Sequence, residues 1–229
     1  MKICIIPARG GSKRIRRKNF KKFNGIPIII QILKNLKKTK FFDKIIVSTD
    51  HKKIENYSKN NGADLVLKRG KYLSQDHIGT KELISATLKK IKFKDNDSKY
   101  IFCVYPTSVF LKKKHLIESL RLINKKKNDL IFSAIKYPHP IQRSIKLRNN
   151  KLRFNNSNNM KKQTQKFNPD FYDAGQFYLA KIIKWNDKKP LFSEKSKFIE
   201  FFRSECTDID DIKDWKLAEI LFKENKNKV

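Results

Sequence analysis

The chain has 229 residues, of which 39% are hydrophobic and 11% aromatic, so a packed core is feasible and wholesale disorder is excluded. No run approaches the roughly 20 apolar residues of a membrane-spanning helix, and residues 1–6 are too short for a signal peptide. We therefore expect a cytoplasmic protein without membrane partners. The formal net charge of +32 suggests nucleic acid as a partner. However, the lysines are spread along the whole chain, so we interpret the high charge as a bias in amino-acid composition rather than as a binding surface. A nucleic-acid-binding module remains the non-enzyme alternative.

Short apolar runs alternate with longer helical patterns along the first 135 residues. Strands are predicted at residues 2–6, 44–47, 64–67, 100–105 and 129–135. Helices are predicted at residues 28–38, 51–60, 80–91 and 113–125. This alternation is typical of repeated βαβ units, so it predicts an α/β fold with a Rossmann-like, mostly parallel sheet and helices on both faces. Ligands bind such a sheet beyond the carboxyl ends of its strands.

Residues 136–171 interrupt this alternation, because they are polar, rich in Asn and Lys, and contain three prolines. We interpret them as an insertion in a single domain of residues 1–229: a lid, an arm exchanged with a second subunit, or both. Further elements are predicted after the insertion. They are strands at residues 173–180 and 198–202, a helix at residues 212–223 and a frayed tail at residues 224–229.

A segment rich in glycine and cations directly follows the first strand. Gly10 and Gly11 allow the backbone to approach a ligand and to turn N–H groups inward. The side chains available to a triphosphate are those of Arg9, Ser12, Lys13, Arg14 and Lys18. The segment matches neither the Walker A nor the dinucleotide-binding pattern. We predict a phosphate-binding loop here, against the alternative of an ordinary turn in a lysine-rich chain.

Alternating acids occur near the end of the chain, at Asp208-Ile209-Asp210-Asp211. Two carboxylates on one side of an extended segment suit Mg²⁺, which prefers one or two carboxylates together with phosphate oxygens. The alternative is that Asp210 or Asp211 caps the helix that follows. The pattern leaves both interpretations open, and one Asp can perform each role.

Three more polar segments lie in or directly after predicted strands. The loop from Arg69 to Thr80 contains LSQDH and offers Arg and Ser for a base, or is simply a loop capped by Asp76. The segment Tyr105-Pro106-Thr107-Ser108 ends the fourth strand. In residues 172–178, a glycine within a predicted strand indicates a bulge or the close approach of a ligand.

Taken in order, these segments resemble the cytidylyltransferases that activate nonulosonic (sialic-type) acids as CMP sugars. IIPARGGSKRIRRKN resembles the N-terminal CTP-binding signature of that family, and IIVSTD, LSQD, YPTS and TDID resemble its later motifs. The resemblance extends from Ile3 to about Leu221. DAGQFY and HPIQR are more similar to the pseudaminic acid branch than to the sialic acid branch. One departure is Arg16, where the family commonly has proline.

The resemblance implies a fold of the nucleotide-diphospho-sugar transferase type with a protruding dimerisation arm. It also implies Mg²⁺-dependent transfer from CTP to a nine-carbon sugar acid by a homodimer. The implied CTP-binding residues are Ala8, Arg9, Gly10, Gly11, Ser12, Lys13, Lys18, Asn19, Arg69 and Ser74. The implied catalytic residues are Arg9, Lys18, Asp208 and Asp210, of which Asp208 and Asp210 hold the metal. The implied sugar-binding residues are Tyr105, Thr107, Gln142, Arg143, Asp173 and Gln176. Pseudaminate is the expected sugar, with N-acetylneuraminate and legionaminate as alternatives.

Overall fold

The computed structural model describes residues 1–91, 100–125 and 127–227. The strands are β1 (Lys2–Pro7), β2 (Lys22–Phe23), β3 (Ile26–Pro27), β4 (Lys44–Thr49), β5 (Leu65–Lys68), β6 (Tyr100–Val104), β7 (Leu130–Lys136), β8 (Ile145–Arg148), β9 (Lys151–Phe154), β10 (Phe171–Lys181) and β11 (Ser196–Glu200). The helices are α1 (Ile28–Thr39), α2 (Lys52–Lys59), α3 (Thr80–Lys89), α4 (Lys113–Ile123), α5 (Ser157–Met160), α6 (Ile182–Asn186) and α7 (Ile212–Asn227).

Seven strands form the central sheet, in the order β11-β7-β10-β6-β1-β4-β5. Every neighbouring pair is parallel except the two made by β10, which runs antiparallel to both β6 and β7. The predicted mostly parallel sheet is therefore confirmed. The order changes direction at β1, whose neighbours are β6 and β4, and ligands bind at such switch points in open α/β sheets.

Alternate residues of β1 belong to two separate buried clusters, one on each face of the sheet. Ile3 and Ile5 pack with residues of α3 and α6, whereas Cys4 and Ile6 pack with residues of α1, α2 and α4. All four side chains are fully buried, and burial of one such isoleucine stabilises a fold by about 1.5–3 kcal/mol. Helices thus cover both faces, which explains why β1 is a continuous apolar run.

The last helix is held by a third buried cluster beside the sheet. Trp215 and Phe222 of α7 make edge-to-face contacts with Phe23, and Ile15 and Ile209 belong to the same cluster. Helix α7 extends to Asn227, beyond the predicted helix end at residue 223, and the frayed tail at residues 224–229 stays a prediction. Residues 228 and 229 lie outside the described part of the chain.

The insertion predicted at residues 136–171 folds into a hairpin and short helical turns. Strands β8 and β9 form a separate two-stranded sheet, and a short 3-10 helix, Ile141–Arg143, precedes them. The hairpin sequence alternates, so that four apolar side chains lie on one face and four cations on the other. The apolar face consists of Ile145, Leu147, Leu152 and Phe154, which are 49, 66, 64 and 47% exposed.

None of the helices in the described part of the chain has the length and apolar character that a membrane crossing requires.

Candidate active site

A cavity of about 440 Å³ opens at the carboxyl ends of β1, β5 and β6, beside the switch point of the sheet. Eleven of the predicted site residues line it: Arg9, Ser12, Lys13, Lys18, Asn19, Arg69, Tyr105, Thr107, Asp173, Asp208 and Asp210. These residues come from segments up to about 200 positions apart in sequence, and the sheet topology brings them together. The cavity is lined by five positively charged side chains and four carboxylates.

The loop after β1 places its cations against the loop that precedes α3. An Nη1 atom of Arg9 lies 2.5 Å from one carboxylate oxygen of Asp76, and Lys13 Nζ lies 2.6 Å from the other. Arg9 also donates a hydrogen bond of 3.2 Å to the backbone carbonyl of Ser74. These contacts aim two positive charges at one wall of the cavity, where Asp76 is their common anionic partner.

Hydrogen bonds to neighbouring segments hold the loop after β1 in place. The Gly10 N–H donates to Asp50 Oδ1 at 2.8 Å, and the Asn19 amide donates to the Arg9 carbonyl at 2.8 Å. Ala8 is fully buried, and its N–H donates to the Ser48 carbonyl. Asn19 therefore lines the cavity while also shaping the loop.

Ala8, Gly10 and Gly11 do not line the cavity, so their predicted contact with CTP is not supported by the structure. The physical reason is that the N–H groups of Ala8 and Gly10 already have protein acceptors. A Cβ on Gly10 would lie 2.6–2.9 Å from the His51 side chain. Gly10 is thus required for close packing against His51 rather than for the approach of a ligand.

Replacing Gly10 by Ala is expected to destabilise the protein by about 1–3 kcal/mol, because overpacking forces the loop and His51 apart. Thermal unfolding monitored by circular dichroism measures this loss. Gly11→Ala is the matched control, since a Cβ at Gly11 meets nothing within 4 Å. Equal stability of the two variants would contradict the packing role of Gly10.

The acidic segment near the end of the chain also contributes to the cavity. Asp208 and Asp210 both line the cavity, while Ile209 between them is fully buried in the α7 cluster. Desolvation by the cavity walls, together with the charge of Asp210, raises the pKa of Asp208 above its ordinary value. Buried Ile209 anchors this segment so that both neighbouring carboxylates stand on the cavity side.

Lys18 connects the phosphate-loop region to this acidic segment. Its Nζ donates a 2.6 Å hydrogen bond to the Ile209 carbonyl, and burial lowers its pKa despite the nearby charges of Asp208 and Asp210. Arg14 Nη1 lies 2.5 Å from Asp210 Oδ2. The two carboxylates are therefore held between cations of the first loop.

Asp211 has the capping role that the sequence left open. Its Oδ1 accepts from the N–H groups of Lys213 and Asp214, while Asp214 Oδ2 accepts from the N–H groups of Asp210 and Asp211. This reciprocal arrangement stabilises the first turn of α7. Asp208 and Asp210 are left to face the cavity.

The residues present fit Mg²⁺. Two carboxylates, which offer only acceptor oxygens, line the same cavity. Burial and then the charge of Asp210 raise the pKa of Asp208, and a bound cation favours the ionised form of both groups. Mg²⁺ commonly takes one or two carboxylates and completes its shell with waters and substrate phosphates. No cluster of three or more metal-ligating side chains occurs within the described residues, so the protein alone supplies only part of such a shell.

Arg69 lines the deep end of the cavity and is 6% exposed. Its guanidinium donates to the Ser48 carbonyl at 2.7 Å, its Nε is buried without a protein acceptor, and burial lowers its pKa to about 10. An unpaired buried donor is costly and suits a polar ligand group. Ser74 is different, because its hydroxyl donates to Gly70 and does not line the cavity. A contact between the Ser74 hydroxyl and CTP is not supported.

Tyr105 and Tyr178 line the cavity together, and their rings are in edge-to-face contact with centroids 6.0 Å apart. The hydroxyl of Tyr105 hydrogen-bonds Thr80 Oγ1 at 2.5 Å, and that of Tyr178 donates to Asp173. Burial raises the pKa of both tyrosines, so their hydroxyls stay protonated.

The predicted cavity-facing position of Gln176 is wrong. Gln176 is 1% exposed, and its amide donates to the Ala174 carbonyl on the inner face of β10. Gln176 lies within the irregular stretch of β10 between Asp173 and Tyr178, where its side chain folds back onto the chain instead of reaching the cavity. Gly175, at a φ of 58°, forms the predicted bulge, and the register shift it causes turns Tyr178 back toward the cavity.

Gln142 and Arg143 do not line this cavity either, so their predicted sugar contact is absent from the cavity of their own chain. The Gln142 amide donates to Asp170, and the Arg143 guanidinium donates to the Met160 carbonyl at 3.3 Å. Both residues follow β7 into the insertion, where Arg143 lines a second cavity of about 400 Å³. The chain leaves the sheet before it reaches them.

Several cavity residues have no ligand role in the sequence-based prediction, among them Asp76, Thr80 and Tyr178. The sequence favours Asp76 only as a cap of its own loop, whereas in the structure its carboxylate pairs with Arg9 and Lys13. The signal for Asp76 was its position beyond β5, on the same sheet edge as the phosphate loop. No local pattern indicates Tyr178, because its orientation depends on the bulge.

A family model described as Cytidylyltransferase matches residues 3–224 of the chain. The chain belongs to the cytidylyltransferase family. This cytidylyltransferase is 30% identical over 224 residues to the pseudaminic acid cytidylyltransferase of Campylobacter jejuni, and the match covers 97% of both chains. It is 28% identical to N-acylneuraminate cytidylyltransferase A of Danio rerio, covering 94% of this chain and 49% of that protein.

Solved structures share the fold of this cytidylyltransferase. A CMP:2-keto-3-deoxy-manno-octonic acid synthetase complexed with CTP matches with a TM-score of 0.70 and 12% identity, covering 98% of this chain and 99% of that one. A 4-diphosphocytidyl-2C-methyl-D-erythritol synthase from Anaerococcus prevotii matches with a TM-score of 0.64, also at 12% identity, covering 97 and 98%. The family resemblance inferred from the motifs is thereby confirmed, together with the enzyme class, a nucleotidyltransferase.

Proposed function

We propose that this enzyme transfers a cytidylyl group from CTP to pseudaminic acid, giving CMP-pseudaminate and pyrophosphate. Identity of 30% to a pseudaminic acid cytidylyltransferase, covering 97% of both chains, supports the substrate most directly. The cavity supports the chemistry, because it joins a cation-rich loop, a buried arginine with an unused donor, and a pair of carboxylates.

In the proposed reaction, the anomeric hydroxyl of the sugar attacks the α-phosphorus of CTP. A C–O–P bond forms, the bond between the α-phosphorus and the bridging oxygen breaks, and pyrophosphate departs with that oxygen while the hydroxyl proton is lost. The protein mainly positions the reactants and offsets charge. We assign the triphosphate to Arg9, Ser12, Lys13 and Lys18, and the cytidine end to Arg69. We assign the sugar to the side formed by Tyr105, Thr107 and Asp173.

Asp208 and Asp210 are the residues that would hold Mg²⁺. When bound, the ion neutralises phosphate charge and polarises the oxygens it binds. Lys18 adds a positive charge from the protein beside the same carboxylates, since its Nζ is fixed on the Ile209 carbonyl between them. We therefore place the α-phosphate near Lys18.

A direct assay tests the substrate: pyrophosphate release from CTP and Mg²⁺ with pseudaminate, legionaminate or N-acetylneuraminate as acceptor. We expect the highest kcat/KM with pseudaminate. A preference for N-acetylneuraminate would overturn the sugar assignment but not the enzyme class. Absence of pyrophosphate release with all three acids, accompanied by salt-sensitive nucleic-acid binding, would favour the non-enzyme alternative.

We also infer that the protein acts as a homodimer through the insertion at residues 136–171. The four apolar side chains of the β8–β9 hairpin are each 47–66% exposed, and a contiguous apolar face of this kind typically marks an interaction surface. A sugar-binding role for Gln142 and Arg143 then requires the cavity of the partner subunit. Sedimentation equilibrium tests the inference: a mass of one chain at micromolar concentration would contradict it.

A further inference from the structure

Asp76 stands where the phosphates of CTP are expected. Its two carboxylate oxygens lie 2.5 Å from Arg9 Nη1 and 2.6 Å from Lys13 Nζ, one oxygen for each cation. Two oxygens of a phosphate group would engage the same two cations in the same way. Hydrogen bonds from Lys13 and then Arg9 lower the pKa of Asp76, so the carboxylate is ionised at neutral pH.

The charges around the cavity are largely paired before any ligand arrives. Arg9 and Lys13 face Asp76, and Arg14 faces Asp210, so three of the five cations lining the cavity contact a carboxylate. A triphosphate that binds Arg9 and Lys13 must therefore replace Asp76 as their partner. The side chains of Lys13 and Asp76 are 85 and 45% exposed, so solvent screens their attraction and the exchange is energetically accessible.

The loop that carries Asp76 contributes a second contact to the same cation. Arg9 also donates to the Ser74 carbonyl, so the guanidinium is held by two groups of the segment between Gly70 and Gly79. This orients Arg9 toward the cavity wall before CTP binds. Asp76 does not cap α3, because the N-cap residue of that helix is Gly79 and no side chain caps the helix there. Among the described residues, the Asp76 carboxylate thus forms ion pairs with these two cations.

We propose that Asp76 is an internal competitor of the triphosphate: its carboxylate occupies Arg9 and Lys13 in the free enzyme, and CTP displaces it. The inference rests on the proposed function, because it assumes that these cations bind the triphosphate. When Asp76 occupies the two cations, the apparent affinity for CTP equals the intrinsic affinity multiplied by the fraction of protein in which the cations are free. It weakens binding of CTP and also of the product pyrophosphate, and so favours release of that product.

Asp76→Asn tests the proposal, because it removes the charge and retains the shape of the side chain. We expect CTP and inorganic pyrophosphate each to bind about fivefold more tightly to the variant by isothermal titration calorimetry, as two weak, exposed ion pairs no longer compete. Product inhibition by pyrophosphate should strengthen to the same degree. Thermal unfolding establishes that the variant is folded.

Glu55→Gln is the matched control. Glu55 also contacts two lysines, Lys52 and Lys59, but on α2 and away from the cavity, so it reports the effect of one lost negative charge. In an Arg9→Ala background, Asp76→Asn should tighten CTP binding less than in the wild type, because one of the two competing pairs is already absent.

Unchanged or weaker binding of CTP to Asp76→Asn would overturn the proposal, and weaker binding would assign Asp76 to positioning Arg9 instead. Tightening of the same size in Glu55→Gln would also overturn it, since the effect would then reflect net charge. Failure of the wild-type protein to bind CTP would reject the proposed function itself, which is a distinct result.

Discussion

Asp208→Asn should reduce Mg²⁺-dependent turnover by about a thousandfold while the protein stays folded. Removal of one of two metal-binding carboxylates costs several kcal/mol of transition-state stabilisation, and each 1.4 kcal/mol is tenfold in rate. Asp208 is exposed toward the cavity and lies beside buried Ile209, which keeps the segment in place. Steady-state release of pyrophosphate at saturating CTP measures the effect.

Asp211→Asn is the control, because Asp211 lies three positions away and caps α7 rather than facing the cavity. Asparagine is a good capping residue, so this variant should retain both stability and turnover. Calorimetric titration of Mg²⁺ with CTP present adds a readout besides activity and should show weakened metal binding only in Asp208→Asn. Near-normal turnover of Asp208→Asn would reject the metal assignment.

Arg9→Ala should reduce kcat/KM for CTP by about a hundredfold to a thousandfold, since it removes a preorganised positive charge from the phosphate site. Arg9→Lys should recover only part of this loss, because a lysine ammonium cannot bind two phosphate oxygens in the bidentate geometry of a guanidinium. Initial rates over a range of CTP concentrations, at a fixed concentration of sugar, measure both variants.

Arg16→Ala controls for the loss of charge from the same loop. Arg16 is exposed and does not line the cavity, so its removal should leave kcat/KM within about twofold of the wild type. A large effect at Arg16, or an Arg9 variant that changes only the KM for the sugar, would show that the phosphates bind elsewhere.

The high net charge of the chain says little about its function. The net charge is +32, yet the cavity itself contains five cations and four carboxylates, with most of the cations in specific contacts. A phosphate site depends on where charges are fixed relative to one another. The lysines spread over the helices do not contribute to that arrangement.

The sequence by itself determined the fold class and two local parts of the site, the loop after β1 and the acidic segment from Asp208 to Asp210. The apolar run of β1 followed by a turn rich in glycine and arginine indicates the phosphate loop, because strand, turn and ligand groups are contiguous. The spacing of Asp208, Ile209 and Asp210 likewise places two carboxylates on one side of a buried residue. These features depend on periodicity and on neighbours within a few positions, which the sequence displays directly.

Only the tertiary structure decided which groups reach the cavity. The contact of Arg9 with Asp76 joins loops 67 positions apart, and the packing of Gly10 on His51 depends on the pairing of β1 with β4. The bulge at Gly175 turns Tyr178 toward the cavity, and a hydrogen bond to the Ala174 carbonyl keeps the buried Gln176 side chain away from it. Gln142 and Arg143 leave the sheet with the insertion. Such outcomes follow from the register and packing of distant segments, which no local pattern specifies.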